Sequence, residues 1–311
     1  MKKLLLLVNP YSGRGISKTA LGDIVTQFAE RDYLVSVCLT KERKVADLAR
    51  ENAPGHDLLV CVGGDGTLSD VVTGLMDVEN PPPIGYIPRG TANDMATTLA
   101  LSRDLNTAVD TILEGHPVEL DVGYADGKYF TYVTAFGVFT GASYSTPQSA
   151  KRALGNLAYV FSGIADMAVS KPKRTRVEYD DGVIEDDFIF GGVTNTTSVA
   201  GLVRLRSAEV ELGDGKFEVI LVRNPVKGQD FRDILTSLAS NAFPSSTLLP
   251  EAFGSDNVRL IHTSRVKFTF DEPVAFTRDG ENGGMHQELV VENRARAVRI
   301  IIADKESEGA T

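Results

Sequence analysis

Apolar and polar positions follow two different rhythms along the chain. As far as about residue 120, unbroken apolar runs recur: KLLLLVN, LVSVCLT, DLLVCVGG and IGYIP, each closed by turn-forming residues. Short continuous runs of this kind predict strands buried on both faces. Between them, DIVTQFAERD, VADLAREN and SDVVTGLMDV place apolar residues at i, i+3 and i+4, which predicts amphipathic helices. Strand–helix alternation with short connections implies a largely parallel sheet covered by helices on both sides. Such sheets bind ligands beyond the carboxyl ends of their strands. Each glycine cluster here directly follows a strand, so all of them fall on one sheet edge.

From about residue 122 the pattern alternates apolar with polar. VGYADGKYFTYVTAF, RVEYDDGVIEDDFIFGGVTN, AEVELGDGKFEVILVR, RVKFTFDEPVAFTRDGE and QELVVENRARAVRIIIA turn at Asp-Gly or Asn, the signature of antiparallel strands in a sandwich or barrel. Two helical segments interrupt them, NLAYVFSGIADMAVS and FRDILTSLASNAF, the second ended by Pro244. The expected organisation is an α/β domain over residues 1–122, a β-rich domain over 123–294, and a closing strand, 295–303, that is a candidate to rejoin the first domain. The acidic end, 304–311, reads as a disordered tail.

Composition narrows the function classes. The 311 residues include 32 Lys+Arg against 42 Asp+Glu, a formal charge of −10 that argues against nucleic acid as a partner. The opening MKKLLLLVNP resembles a secretory leader, but its run Leu4–Val8 stops at Asn9-Pro10, short of the roughly 7–15 apolar residues such a leader needs. No stretch approaches the ~20 apolar residues of a membrane-spanning helix, so the expected location is the cytoplasm. Cys38 and Cys61 sit in apolar runs and read as reduced, buried thiols. His56, His116, His262 and His286 show no metal-ligand spacing. Lys171–Arg176, KPKRTR, reads as a loop, solvated or set against anionic headgroups.

Three turns carry the candidate chemistry. Asn9–Gly15, NPYSGRG, joins the first strand to a helix, where free backbone amides favour an anion. Gly63–Thr67, GGDGT, follows the third strand; its glycines let amides approach phosphate closely and form an anion-binding nest. A carboxylate beside phosphate is repulsive unless a divalent cation lies between, so Asp65 implies a metal–nucleotide site. IPRGTANDMA, residues 87–96, repeats the arrangement: Gly90 and Thr91 reach for phosphate, Arg89 supplies charge, Asp94 adds a carboxylate, and Asn93 is a candidate helix cap. Late in the chain, Asp279-Gly280-Glu281 pairs two carboxylates. An EF-hand calcium loop is excluded, because its fifth and twelfth positions would be Gly283 and Val290.

NPYSGRG, GGDGT and PRGTANDMA, in this order and spacing, resemble the diacylglycerol kinase catalytic domain. That superfamily includes sphingosine and ceramide kinases and, more distantly, NAD kinases. LGDGKFEVILV and FTRDGENGGMHQELVVE extend the resemblance over nearly the whole chain, and GENGGM is closest to the soluble bacterial diacylglycerol kinases. The resemblance implies an NAD-kinase-like, Rossmann-like α/β domain, a C-terminal β-sandwich domain and an active site in the cleft between them. It implies ATP as phosphoryl donor, Mg²⁺ as cofactor and a lipid hydroxyl as acceptor. By motif position the nucleotide contacts would be Asn9, Ser12, Gly13, Thr40, Gly63, Gly64, Asp65, Gly66, Thr67 and Thr91; Thr40 also fits independently, since it ends the second strand on the same edge. Asp65, Asp94 and Asp121 would form a Mg²⁺–water network. Asp214, with the carbonyls of Glu211 and Lys216, would hold a structural Mg²⁺.

An attacking alcohol must lose a proton to a carboxylate within reach, so Asp279 and Glu281 are the catalytic candidates, with Asp279 favoured as the base and Asp65 joining the catalytic set. The implied reaction converts diacylglycerol to phosphatidic acid during transient association with the inner membrane face, and the resemblance allows a homodimer. The chain departs from the family at VTNTTSVAGLVRLRSAEV, which lacks a proline many relatives carry, and at FGVFTGA, residues 136–142. Both lie where the acceptor should bind. Other acceptors therefore stay open: a sphingoid base, ceramide, monoacylglycerol or, on a different branch, NAD. A third reading, a nucleotide or lipid sensor without turnover, is opposed by the intact Asp-Gly-Glu motif.

Overall fold

A computed structural model describes residues 1–13, 15–40, 44–137, 171–196, 198–199, 203–204, 212–225 and 257–304. The helical segments expected at 156–170 and 231–243, and the tail from 305, lie outside the described residues, as does most of the 136–142 stretch. The chain divides into two compact units, Met1–Val122 with the chain from Ala295, and Gly123–Arg294. It passes from the first to the second along one strand, His116–Ala125, and returns along another, Glu281–Ile302.

In the first unit, β1 (Lys2–Val8), β2 (Tyr33–Leu39), β3 (Leu58–Gly63) and β4 (Ile84–Pro88) form a parallel sheet in the order β4-β3-β1-β2. Leu4 to Val8 are all fully buried, as a strand covered on both faces requires. On one face, Leu4, Leu6, Val8, Leu58, Val60 and Val62 pack with Ile24 and Phe28 of α1 (Lys18–Glu30) and Ala108, Val109 and Ile112 of α5 (Leu105–Glu114). Also in this unit are α2 (Val45–Asn52), α3 (Asp65–Leu75) and the short α4 (Asp94–Thr98). Gly74 of α3 lies so close to α2 that an added Cβ would overlap the Ala46 carbonyl oxygen. Ser17 caps α1 through the Ala20 amide, and Asp104 caps α5 through that of Thr107.

Both cysteines are free thiols; Cys61 is buried as expected, but Cys38, on the exposed strand β2, is only partly so. Leu7 of β1 is in register with Cys38 on one side and Cys61 on the other, which separates the pair by two strand spacings, roughly 9–10 Å. Burial pushes the Cys61 thiol well above its ordinary range, so it stays protonated.

The second unit is antiparallel. Its strands are the end of β5 (His116–Ala125), β6 (Lys128–Phe130), β7 (Val133–Gly137), β8 (Lys173–Tyr179), β9 (Gly182–Thr194), the small pair β10 (Ser198–Val199) and β11 (Val203–Arg204), β12 (Phe217–Arg223), β13 (Val258–Thr263), β14 (Arg265–Arg278) and the start of β15 (Glu281–Ile302). The two long strands β9 and β14 change partners along their length. One half of each pairs with β8 and the other with β7, so the strands fold around a common core. Phe136 sits in it, with its ring centroid 4.9 to 5.7 Å from those of Phe268, Phe270 and Phe276. Such aromatic pairs contribute about 0.5–1.5 kcal/mol each beyond their buried area.

Two of the Asp-Gly turns are tight hairpins. Asp126-Gly127 joins Ala125 to Lys128, and Asp279-Gly280 joins Arg278 to Glu281, with positive φ at both central residues in each. That geometry matches the strand twist and favours Asp-Gly over bulkier pairs. The basic stretch 171–176, expected as a loop, instead runs into β8. Arg174 pairs with Glu185 of β9 at 2.9 Å and Arg176 with Glu178 of its own strand at 2.9 Å, so two of its four basic groups are already answered within the sheet.

Candidate active site

In the first unit the four parallel strands end level with one another: Val8 is opposite Leu39 and Val62, and Gly63 is opposite Pro88. The turns that follow are stitched together by the backbone. Asn9 N donates to Val62 O at 2.9 Å, Thr40 N to Val8 O at 2.9 Å and Arg89 N to Gly63 O at 2.7 Å. This edge gathers the turns after β1 and β3 into one polar cluster. Asn9 Nδ2 donates to Thr67 Oγ1 at 3.0 Å, the Gly64 amide donates to Ser12 Oγ at 3.0 Å, and the Ser12 and Thr67 hydroxyls are 3.4 Å apart.

Glycine is demanded here by contact. A Cβ at Gly90 would stand 2.6 Å from the Gly64 Cα, so two turns touch backbone to backbone. Gly13, at φ +54°, has no room for a side chain against the Arg89 carbonyl oxygen. Gly66 differs, because a Cβ there would meet nothing within 4 Å. Thr40 is buried, and its hydroxyl has no hydrogen-bond partner among the described residues. A buried donor left over at the rim of a glycine cradle is what a polar ligand would satisfy. Thr91 is exposed on the last turn.

Asp65 is placed by a relation the sequence pattern does not reveal. Its two carboxylate oxygens accept the backbone amides of Asp94 at 3.1 Å and Met95 at 3.2 Å, so it caps α4 from thirty residues away. Asn93, the expected cap, does not do so. It adopts a left-handed φ of 55° and folds its amide back onto Gly90, accepting from Gly90 N at 2.8 Å and donating to Gly90 O at 2.9 Å. Arg89 is not left free to meet phosphate with its whole fork, since Nε and Nη2 hold the Gly15 carbonyl at 3.2 and 3.0 Å. Tyr86, whose hydroxyl is 3.5 Å from Asn93 Oδ1, is pushed far up by burial and then by the Asp65 charge, so it remains a neutral donor.

The remaining acids are held separately. Asp121 is fully buried and accepts the Arg296 amide at 2.7 Å, with Arg296 itself at φ 52°. Asp214 folds over its own turn, accepting the Lys216 amide at 2.8 Å; Glu211 lies outside the described residues. Among the described residues, no three His, Cys, Asp or Glu side chains are gathered closely enough to grip a metal directly. The set Asp65, Asp94 and Asp121 is all oxygen, which suits a hard cation held through water.

In the second unit, Asp279 and Glu281 have different surroundings. Asp279 Oδ2 accepts Thr131 N at 2.8 Å and Thr131 Oγ1 at 3.2 Å, while Oδ1 accepts Tyr132 N and Val133 N, both at 3.1 Å. Its own amide donates to Val133 O at 2.8 Å. A carboxylate offers about four lone-pair sites, and all four are taken. Glu281 is exposed at the head of β15, and its side chain makes no hydrogen bond or ion pair among the described residues.

The diacylglycerol kinase catalytic domain family matches residues 3–125. A curated relative from Bacillus subtilis strain 168, named diacylglycerol kinase, is 30% identical over 99% of both chains. The chain belongs to the diacylglycerol kinase family. Another relative of that name, from Staphylococcus saprophyticus, is 34% identical over 71% of this chain and 73% of its own. A crystal structure of a diacylglycerol kinase from Bacillus anthracis covers 97% of each chain with a TM-score of 0.71 at 21% identity, a shared fold. The family is one of lipid kinases, and its matched segment contains all three glycine-rich turns and the buried Asp121. The Asp279 hairpin lies beyond that segment, within the span aligned to the Bacillus subtilis relative.

Proposed function

We propose that this chain transfers the γ-phosphate of ATP to the free hydroxyl of diacylglycerol, giving phosphatidic acid. The observation that carries the donor half is the glycine-on-glycine contact of Gly64 and Gly90 beside the Asn9–Ser12–Thr67 cluster, with a buried Thr40 hydroxyl left to satisfy. These groups offer amides and hydroxyls to phosphate and no side-chain cation. Asp65, Asp94 and Asp121 would hold Mg²⁺ through water, and Mg²⁺ when bound neutralises charge on the transferring phosphoryl group. Asp214, with the Glu211 and Lys216 carbonyls, is proposed as a separate structural Mg²⁺ site.

For the acceptor half, we assign the base to Glu281 and make Asp279 a positioning residue. Glu281 has lone pairs free to take the hydroxyl proton as the oxygen attacks phosphorus. Asp279 spends its own on the Thr131–Val133 backbone and on holding the hairpin that carries Glu281. Diacylglycerol as acceptor rests on the names of the relatives, and its presentation at a membrane surface follows from its insolubility. Incubating the purified chain with radiolabelled ATP, Mg²⁺ and mixed micelles of diacylglycerol, ceramide, sphingosine or monoacylglycerol, with NAD in parallel, tests the reading. Label in phosphatidic acid supports it; label only in another acceptor moves the chain to that branch, and no transfer with intact ATP binding leaves a sensor.

A further inference from the structure

A cavity of about 330 Å³ opens in the first unit where α1, the turn after β4 and the start of α5 meet. Its size is at the lower end of small-molecule sites, roughly 300–1,000 Å³. Two guanidinium groups line it, Arg89 and Arg103, and neither has a carboxylate partner within ion-pair distance among the described residues. Each spends part of its donor fork on a backbone carbonyl: Arg89 on Gly15 O, and Arg103 Nη2 on Ala92 O at 2.6 Å. Of the five N–H groups on a guanidinium, Arg89 uses two and Arg103 one, which leaves donors in a fork suited to a phosphate. The start of α5 is not itself the attraction, because its own Asp104 carboxylate occupies it.

The other lining groups restrict what the anion can be. Asp23 and Asp104 would repel a bare phosphate, and Asp104 is held below the usual carboxylate range by the Thr107 amide, so it stays charged. A ligand that carries hydroxyls beside its phosphate answers them by donating. Gln27 and Asn106 are joined through Gln27 Nε2 and Asn106 Oδ1 at 3.2 Å, which leaves the Gln27 carbonyl and the Asn106 amide for the same hydroxyls. Ile24 and Leu105 give the cavity an apolar wall of a size to meet a short carbon chain.

We propose that this cavity is a second phosphate site, flanking the nucleotide turns and sharing Arg89 with the third of them, that takes the phosphate monoester of a small polyol such as glycerol phosphate. The ligand would be either the free metabolite or the headgroup of a phosphatidic acid molecule. Its two arginines brace Gly15, at the end of the first turn, and Ala92, within the third, so occupancy and nucleotide binding share structural elements. The binding claim does not depend on the kinase reading.

Isothermal titration with glycerol 3-phosphate, performed with a non-hydrolysable ATP analogue at saturation, tests it. One site should be seen, with affinity within threefold of that measured without the analogue. Arg103→Gln, an exposed position whose folding is checked by melting, should weaken it at least fivefold, and Asn106→Ala should weaken it several-fold. Binding that vanishes when the analogue is present would place the phosphate on the nucleotide turns and overturn the proposal, as would an Arg103→Gln protein that binds normally. Sedimentation with phosphatidic acid vesicles against phosphatidylcholine vesicles separates the sources. Retention lost in Arg103→Gln indicates the lipid headgroup, and titration without retention indicates the soluble phosphate. Analogue binding and label transfer are read in the same protein, so failure of this site is distinct from failure of the kinase reading.

Discussion

Asp279 and Glu281 are two residues apart on one hairpin, and their surroundings differ: Asp279 accepts four hydrogen bonds, and Glu281 is exposed. Glu281→Gln should leave the fold and ATP affinity unchanged while lowering kcat by about 10²–10⁴, the usual contribution of a positioned base; wild-type turnover in that variant would remove Glu281 from the chemistry. Asp279→Asn replaces one acceptor oxygen with an NH₂ that faces donors from Thr131 or from Tyr132 and Val133. Leaving buried donors unmatched costs about 1–3 kcal/mol, so this variant should melt several degrees lower as well as lose activity. Differential scanning calorimetry separates the two: Glu281→Gln should show an unshifted melting temperature, and Asp279→Asn a lowered one. The motif was legible in the sequence; this division was not, because Asp279 is settled by amides 146 to 148 residues earlier.

At the scale of elements, the glycine-rich turns are shaped by which glycines are crowded. Gly64→Ala pushes a Cβ to 3.0 Å from the Gly90 Cα, while Gly66→Ala meets open space inside α3. Gly66→Ala should therefore fold as well as wild type or gain up to about 1 kcal/mol of helix stability. Gly64→Ala should lose stability and nucleotide binding together. If the amides of α3's first turn hold phosphate, Gly66→Ala will also weaken ATP-analogue binding while melting no lower, which titration and melting on one sample reveal. The Asp104 cap of α5 gives a pH test. Its folded value lies below the ordinary 3.8, so its contribution is full above that value and fades as pH falls through the folded one. Asp104→Ala should thus lower the melting temperature at pH 7, and the difference should close on acidification below pH 4. Apolar runs buried on both faces made β1, β3 and β4 readable, and i, i+3, i+4 spacing gave α1 to α3. Asp65 capping α4, Arg296 turned onto Asp121, and β8 running through a basic stretch were not readable, since each is decided by a partner distant in sequence. The bulge in β14 between Thr269 and Val274 likewise breaks the alternation that a local pattern relies on.

For the whole molecule, the question is how a chain of net charge −10 reaches a water-insoluble acceptor. No helix among the described residues is long and apolar enough to cross a membrane. In the basic stretch 171–176, Arg174 and Arg176 are paired with Glu185 and Glu178 on the same sheet. Encounter with diacylglycerol has to come through the interface in which the lipid is dispersed. In mixed micelles the rate should follow the mole fraction of diacylglycerol in the micelle at fixed bulk concentration, and adding inert detergent should slow it. Removing divalent cations with EDTA should abolish transfer, and Mg²⁺ should restore it without any change in micelle composition. The same chelation, monitored by melting, addresses Asp214. A lowered melting temperature in wild type that is already present in Asp214→Ala places a structural ion there. If EDTA shifts the melting temperatures of both proteins equally, the ion that matters for stability is not at Asp214, and Asp65, Asp94 and Asp121 become the groups to substitute next.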